Sequence, residues 1–515
     1  MSTGAANTSA SDISNTTGTS TAPIGVPAQR MHRRIVPKRS TWPYLLLGLV
    51  FLVGYSVIEI SRYTHFASMS WDLAIFEEEV KQYAHFQAPI VHIKGAHANI
   101  LGDHFSPIMA LLAPLWWIWP SGVMLLLAQS ALFASSVTIV AATAGRFVSR
   151  TKALCLGFGY GLSWGMQRAV DFDFHEIAFA VPILAVVLRN MLLKRWHRAA
   201  FWALPLTLVK EDLGFTVVAI GVVLFLLRQR ALGALLAVFG AGMALLTVYA
   251  VIPHFSATGS YGYDNKLPSG SWTGWVTGFL SPADVKLTTL AFLLGVTGFL
   301  ALRSPLVLIA VPTLGWRFVS VNPDYWGQDW HYNAVLMPIL FLALVDAIRR
   351  IEERGGARGG ERGEDPTEAR TPKRGTAAPE WLRGYAARGV VPAVTAVSIA
   401  LCATMTLPAK QIFMPSTYRS TDHTDLIGQA LAEVPNGTTV ECNITPMAHL
   451  AARTDVYWLG GSQASPPQYI VLDLSYGWAP SPPSDLPGYA AQLHPGATYR
   501  ILFDQQQFAV LQLVT

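Results

Sequence analysis

ALCLGFGYGLSWGMQRAVDFDFHEIAFAVPILAVVLRNMLLKRWHR (153–198) sets two apolar runs, 153–167 and 174–193, around an acidic and aromatic turn, DFDFHE (171–176). Lys194, Arg195 and Arg198 close the second run. Each run approaches the roughly 20 apolar residues that a helix needs to cross a hydrocarbon layer. Cations gather on the cytoplasmic side of such spans. The basic end therefore faces inward and DFDFHE outward.

The same alternation continues on both sides. Further apolar stretches lie at 42–58, 107–119, 122–144, 199–209, 212–228, 231–252, 286–302, 304–317, 332–348 and 389–407. One set of connections is basic: Arg146-Arg150-Lys152, Arg228-Arg230, Arg303 and Arg349-Arg350. The other carries acids, histidines and aromatics: WDLAIFEEEV (71–80), GDHFSP (102–107), KED (210–212) and DYWGQDWHY (324–332). If 107–119 is a short helix that does not cross alone, the two sets fall on opposite sides of the membrane. That arrangement gives about 11 crossings. Composition agrees: of 515 residues, 52% are apolar and only 13% charged, with mean hydropathy +0.36. A soluble chain carries about 25% charged residues, so a disordered or ordinary cytosolic protein is excluded. Cys155, Cys402 and Cys442 cannot make a disulfide framework. The net charge of +5 resides on the basic connections, and nothing points to nucleic acid.

Residues 1–28 are rich in Ser, Thr, Ala and Gly, and five cations follow between Arg30 and Arg39. Segment 1–41 therefore reads as a disordered, basic cytoplasmic tail ahead of an uncleaved first span. A transmembrane module, 42–348, contains a first outer loop at 62–106. Segment 349–388, with ten Lys or Arg and seven Asp or Glu, reads as a flexible cytoplasmic linker. The last transmembrane helix is 389–407. Beyond it, alternating runs at 438–442, 468–474, 498–503 and 507–513 are interspersed with helical patterns near 424–434 and 446–452. They predict a small extracytoplasmic α/β domain over 408–515. The expected fold is an all-α polytopic bundle in the cell membrane, with that domain outside and the N-terminus in the cytoplasm.

In the first outer loop, Leu73, Phe76, Val80 and Tyr83 recur at helical spacing. They predict an amphipathic surface helix over 72–84 with Glu77, Glu78 and Glu79 on a solvated face. Asp72 either caps that helix or serves as a general base toward an acceptor hydroxyl. His65, His85, His92, His97 and His104 form no recognised metal-ligand pair. His97, Asp103 and His104 either hold a cation or cap the helix beginning at Pro107. DFDFHE is either an anchored span end or a metal site using Asp171 and Asp173. No cofactor is expected, a divalent cation at those two acids being the alternative. The charges of KED must pair with each other or face water. Arg168, Lys210 and Arg317 break the positive-inside pattern, either to hold an anionic head group or to pair with nearby acids. Trp272, Trp275, Tyr325, Trp326 and Trp330 are interface anchors or platforms for a sugar ring, and loop 253–285 is long enough to act as a lid.

Taken in order, WDLAIFEEEV, GDHFSPIMALLAPLW, FDFHEIAFAVP, KEDLGF and HYNAVLMP resemble a bacterial membrane-protein family, DUF2079, over residues from about 50 to 348. That family is similar in layout to the GT-C glycosyltransferases, which include protein mannosyltransferases and lipid A aminoarabinose transferases. The resemblance implies a catalytic acid in the first outer loop, here Asp72, a polyprenyl-phosphate-linked sugar as donor, and an extracytoplasmic acceptor. Arg168, Lys210 and Arg317 would then hold the phosphate. Glu211, Asp212, His104, His175, Glu176, Trp326, Trp330 and His331 would complete the substrate site. The chain departs from the family pattern twice. It has three glutamates at 77–79, where an amide or Asp is expected, and no proline between His175 and Glu176. The competing functions are a transporter or flippase of a lipid-linked or anionic substrate, and a scaffold for envelope assembly. A transporter should show two related halves with broken helices, and no such symmetry is visible.

Overall fold

The computed structural model describes residues 40–68, 71–268, 271–360, 407–462 and 465–514. The expected tail, most of the linker and all of the last span except Leu407 lie outside them. The protein is mostly helical with a small C-terminal sheet.

Among the described residues, three helices are long and apolar enough to cross a membrane: Trp42–Thr64 (α1), Gly122–Ala144, and Arg230–Phe255. Several of the other apolar stretches are broken, and their sequences supply the cause. Stretch 199–209 is a helix over Trp196–Ala203 that tightens into a 3₁₀ turn, Leu204–Leu208, at Pro205. Stretch 304–317 opens with a 3₁₀ turn at Pro305 and becomes helical only over Val311–Val319. Proline lacks the N–H that a continuing helix would donate and clashes with the preceding turn. Stretch 153–167 divides into Arg150–Gly161 and Trp164–Asp171.

In chain order, the helices that position the site begin with α1 and continue with α2 (Trp71–Ala84), α3 (Gly122–Ala144), α4 (Arg150–Gly161), α5 (Trp164–Asp171) and α6 (Ala180–Leu192). Then come α7 (Trp196–Ala203), α8 (Leu213–Leu226), α9 (Arg230–Leu246, continued to Phe255), α10 (Trp272–Leu280), α11 (Ala283–Gly295), α12 (Val311–Val319) and α13 (Leu336–Gly360). Helices α8 and α9 pack backbone to backbone. A Cβ at Gly221 would stand 2.6 Å from the Ala237 nitrogen, and one at Gly240 2.7 Å from the Gly214 carbonyl. Small residues permit this approach where lipid offers no hydrophobic drive. Helix α13 is buried from Leu336 to Ile348 and continues as far as Gly360, into the segment expected to be a linker. Asp346 extends it by pairing with Arg349 and Arg350, each at 2.6 Å, at the i+3 and i+4 spacings that support a helix.

The C-terminal sheet has the order β2-β1-β3-β5-β4, from β1 (Thr439–Cys442), β2 (Asp455–Trp458), β3 (Tyr469–Asp473), β4 (Tyr499–Gln505) and β5 (Phe508–Leu513). Strands β2, β1 and β3 are parallel, β5 pairs antiparallel with β3, and β4 pairs antiparallel with β5. Strand β2 was not expected, because DVYW is short and carries an acid. Side chains alternate strictly. Val440, Cys442, Val471, Phe508 and Val510 face the main core, which is continuous with that of the helices. Ile470, Leu472, Ala509 and Leu511 face a second core closed by Leu486 and Ala490. A period of two on both faces marks a sheet buried on each side. Burying a side chain such as Phe508 contributes roughly 1.5–3 kcal/mol.

Candidate functional site

Helix α2 carries the decisive acids, and its environment differs from the expectation. Glu77, Glu78 and Glu79 are fully buried rather than solvated. The Glu77 carboxyl lies against Gly122 at the N-terminus of α3, where a Cβ would meet both of its oxygens at 3.4 Å. Glu78 accepts from the backbone N–H of Ile93 at 3.3 Å and of Val456 at 3.4 Å, tying the loop to edge strand β2. Glu79 accepts from the Ser106 hydroxyl at 3.2 Å. Burial raises the carboxyls of Glu77 and Glu79 well above the usual range. An EEE run reads as solvated only when nothing covers the helix. Here the C-terminal domain covers it: Lys81 donates to the Thr454 carbonyl at 2.8 Å, and Trp71 meets Trp458 edge to face at 5.0 Å.

Asp72 lies in the first turn of α2, one residue inside its start at Trp71, so it is not the cap itself. Its carboxylate, 31% exposed, faces a cavity of about 430 Å³. His175, Lys210, Glu211, Asp212, His104 and His331 line the same cavity, all anticipated from sequence. Their pairing is specific. The His175 Nε2 lies 3.9 Å from Asp72, and its Nδ1 faces Glu176. Lys210 bonds the other oxygen of Glu176 at 2.6 Å, His104 bonds Glu211 at 2.8 Å, and the Trp316 indole donates to Asp212 at 2.9 Å. KED thus pairs with distant residues rather than within itself. The His331 ring stacks on His175 at 3.5 Å and is 2% exposed, with neither nitrogen hydrogen-bonded. Burial above all, with His175 and Lys210 adding to it, holds that ring well below the usual histidine range. A buried polar group left without a partner costs about 1–3 kcal/mol, which a ligand hydroxyl or phosphate oxygen at His331 would recover.

Other anticipated residues lie elsewhere. Arg317 is fully buried and braces its own loop by donating to the Tyr325 and Gly327 carbonyls and to Asn333, at 2.7, 2.9 and 2.8 Å. It does not line the cavity. Arg168 is taken by Asp171 at 3.8 Å and Asp329 at 3.3 Å. Asp171 is also held by Arg62 at 3.0 Å, while the carbonyl of buried Asp173 accepts from Gln129. Among the described residues, no group of three or more His, Cys, Asp or Glu is arranged to hold a metal. Trp326 donates to the Ser320 carbonyl and Trp330 packs on Phe172. Of the anticipated aromatics, Tyr325 lines the cavity, alongside others such as Trp71, Tyr261, Tyr263, Trp316 and Tyr332.

Several lining residues were not singled out: Lys94, Lys266, Tyr261 and Tyr263. Lys94 pairs with Asp103 at 3.0 Å, and the Tyr263 hydroxyl donates to the same carboxylate at 3.1 Å. Burial pushes Asp103 up, but His104 and Lys94 outweigh it and hold the carboxyl below its ordinary value. Loop 253–268 is thereby fastened to the first outer loop beside the cavity. Nothing in its local sequence marks these partners, because they lie some 160 residues apart. Phe215, Ala244, Leu245, Val248 and Tyr249 supply an apolar part of the lining. Leu245 and Tyr249 are exposed on the bundle surface.

An apolar helical bundle whose acids and histidines converge on one cavity defines a membrane protein with a built polar site. The chain belongs to the DUF2079 family, described as predicted membrane proteins, which it matches over residues 62–488 and thus well into the C-terminal domain. No curated protein matches the sequence. Among solved structures, ArnT from Cupriavidus metallidurans bound to undecaprenyl phosphate is similar at 13% identity, covering 92% of this chain and 98% of its own, with TM-score 0.49. The apo oligosaccharyltransferase of Archaeoglobus fulgidus is similar at 12% identity, covering 84% and 70%, with TM-score 0.38.

Proposed function

We propose that the chain is a GT-C-type transferase that moves a sugar from a polyprenyl-phosphate donor to an acceptor outside the membrane. The observation that carries this reading is the amphipathic character of the cavity. Its lining combines Asp72, His175, Lys210 and His331 with apolar residues of α8 and α9, among them exposed Leu245 and Tyr249. A substrate with a polar head and a hydrocarbon tail matches both parts of that lining. In the reaction, the acceptor oxygen attacks the anomeric carbon, and the bond from that carbon to the phosphate oxygen breaks. The polyprenyl phosphate leaves with the bonding electrons, and Asp72 takes the acceptor proton. Protein purified with its native lipid should show a polyprenyl phosphate in the cavity, its head beside Asp72 and its chain along Phe215 and Val248. An ordinary phospholipid there, with no polyprenyl species recovered by mass spectrometry, would refute the donor assignment.

The proposed orientation places the acidic end of the bundle and the C-terminal domain outside the cytoplasm. A cysteine at exposed Ser484 should react with an impermeant thiol reagent in intact cells. One at exposed His197, among the basic connections, should react only after the membrane is opened. The reverse pattern would invert the protein and remove the extracytoplasmic acceptor.

A further inference from the structure

Three lysines line the cavity: Lys94, Lys210 and Lys266. Lys94 is neutralised by Asp103 at 3.0 Å and Lys210 by Glu176 at 2.6 Å. The acids are equally committed: Glu211 to His104, Asp212 to the Trp316 indole, and Asp72 toward His175. Among the described residues the Lys266 ammonium has no ion pair and no hydrogen bond. Its backbone, by contrast, is fixed. The Lys266 carbonyl accepts from the Val321 N–H at 2.8 Å and from the Ser320 hydroxyl at 2.9 Å. The main chain is thus pinned to the 320–321 loop while the side chain lines the cavity.

We propose that Lys266 is the residue that binds the phosphate of the lipid-linked donor, a role sequence reasoning gave to Arg168, Lys210 and Arg317. The inference rests on the transferase reading and names the partner of its phosphate. An anion entering this cavity meets the carboxylates of Asp72, Asp103, Glu211 and Asp212, while Lys94 and Lys210 are held by Asp103 and Glu176. Recruiting Lys210 would strip Glu176, which is fully buried, of its counter-charge. Recruiting Arg317 would unfasten the carbonyls it braces. Among the described residues, Lys266 carries no such obligation. An ammonium with three donors and a flexible stem suits a phosphate that arrives by lateral diffusion and changes charge when the sugar leaves. His331, buried on the same wall with both nitrogens unpartnered, offers that phosphate or its sugar a second hydrogen bond.

The test uses the purified full chain, titrated with undecaprenyl phosphate, undecaprenol or inorganic phosphate, and reads bound fraction by native mass spectrometry. Wild type should prefer undecaprenyl phosphate to undecaprenol. Lys266→Ala should bind undecaprenyl phosphate about 10-fold to 100-fold more weakly, the range for losing a charged hydrogen bond, with undecaprenol binding unchanged. Lys266→Arg should retain most of the affinity. Competition by inorganic phosphate in wild type, lost in Lys266→Ala, would show that the anion alone suffices. Unchanged undecaprenol binding in the alanine variant reports that the cavity is still folded. Equal affinity of wild type and Lys266→Ala for undecaprenyl phosphate overturns the assignment alone. A wild type with no preference for undecaprenyl phosphate over undecaprenol overturns it together with the polyprenyl-phosphate reading.

Discussion

Asp72→Asn should lower the rate of sugar transfer by about 10²–10⁴-fold, the usual worth of a positioned general base. That corresponds to roughly 3–5 kcal/mol in activation free energy. The amide keeps the size and polarity of the carboxylate in the first turn of α2 and loses only the basic oxygen facing the cavity. The structural cost should be small, because a first-turn acid interacts with the helix dipole by only about 0.3–1 kcal/mol. Asp284→Asn is the matched control, an exposed acid in the first turn of α11 and remote from the cavity wall. It should leave transfer unchanged. Glu78→Gln would be a poor control, since Glu78 ties Ile93 to Val456. A well-folded Asp72→Asn protein with wild-type transfer rates would end the catalytic assignment.

Lys210→Met should destabilise the protein by about 3–5 kcal/mol, the usual penalty for stranding one member of a buried ion pair. Glu176 is wholly inaccessible and Lys210 nearly so, and the 2.6 Å contact joins the chain before α8 to the chain before α6. Once the ammonium is gone, only His175 faces the carboxylate. Glu176→Gln combined with Lys210→Met should cost much less than the sum of the two single changes, since the double variant leaves no charge unpaired. Thermal midpoints of the four proteins in one detergent provide the measurement. Additive losses would mean that the two groups do not support each other.

The residues most legible in the sequence are those that owe their position to the membrane. The alternation of basic and acidic connections assembles Asp72, His104, His175, Lys210 and His331 at one end of the bundle, because solvation and insertion act on each connection locally. Pairings across the bundle are a different matter. Whether Glu176 meets Arg168 or Lys210, or whether Asp103 meets Lys94 and Tyr263, depends on which helices are neighbours, and periodicity carries no such information. Arg317 misleads for the same reason. A cation before an aromatic loop can equally face a ligand or brace the carbonyls of that loop. The buried glutamates of α2 fail as solvated residues because the surface that covers them is encoded nearly 380 positions later, at Val456. Strand β2, four residues long, becomes a strand only through its neighbour β1.

Glu78 and the continuous core have a bearing on biosynthesis. Helix α2 emerges early from the ribosome, yet its full set of partners includes Val456, Thr454 and Trp458. Those residues lie in or beside strand β2, at the edge of a sheet whose central strand, β3, follows it in the chain. The helix bearing Asp72 is therefore inserted long before its surroundings exist, and three carboxyls must wait near the membrane surface for their cover. A ribosome stalled before residue 454 would leave one side of α2 bare, however well the bundle had inserted. The order of synthesis makes strand β2 a late step in covering α2. Chains truncated before residue 454 should be surveyed by the quality-control proteases of the membrane as unfinished molecules.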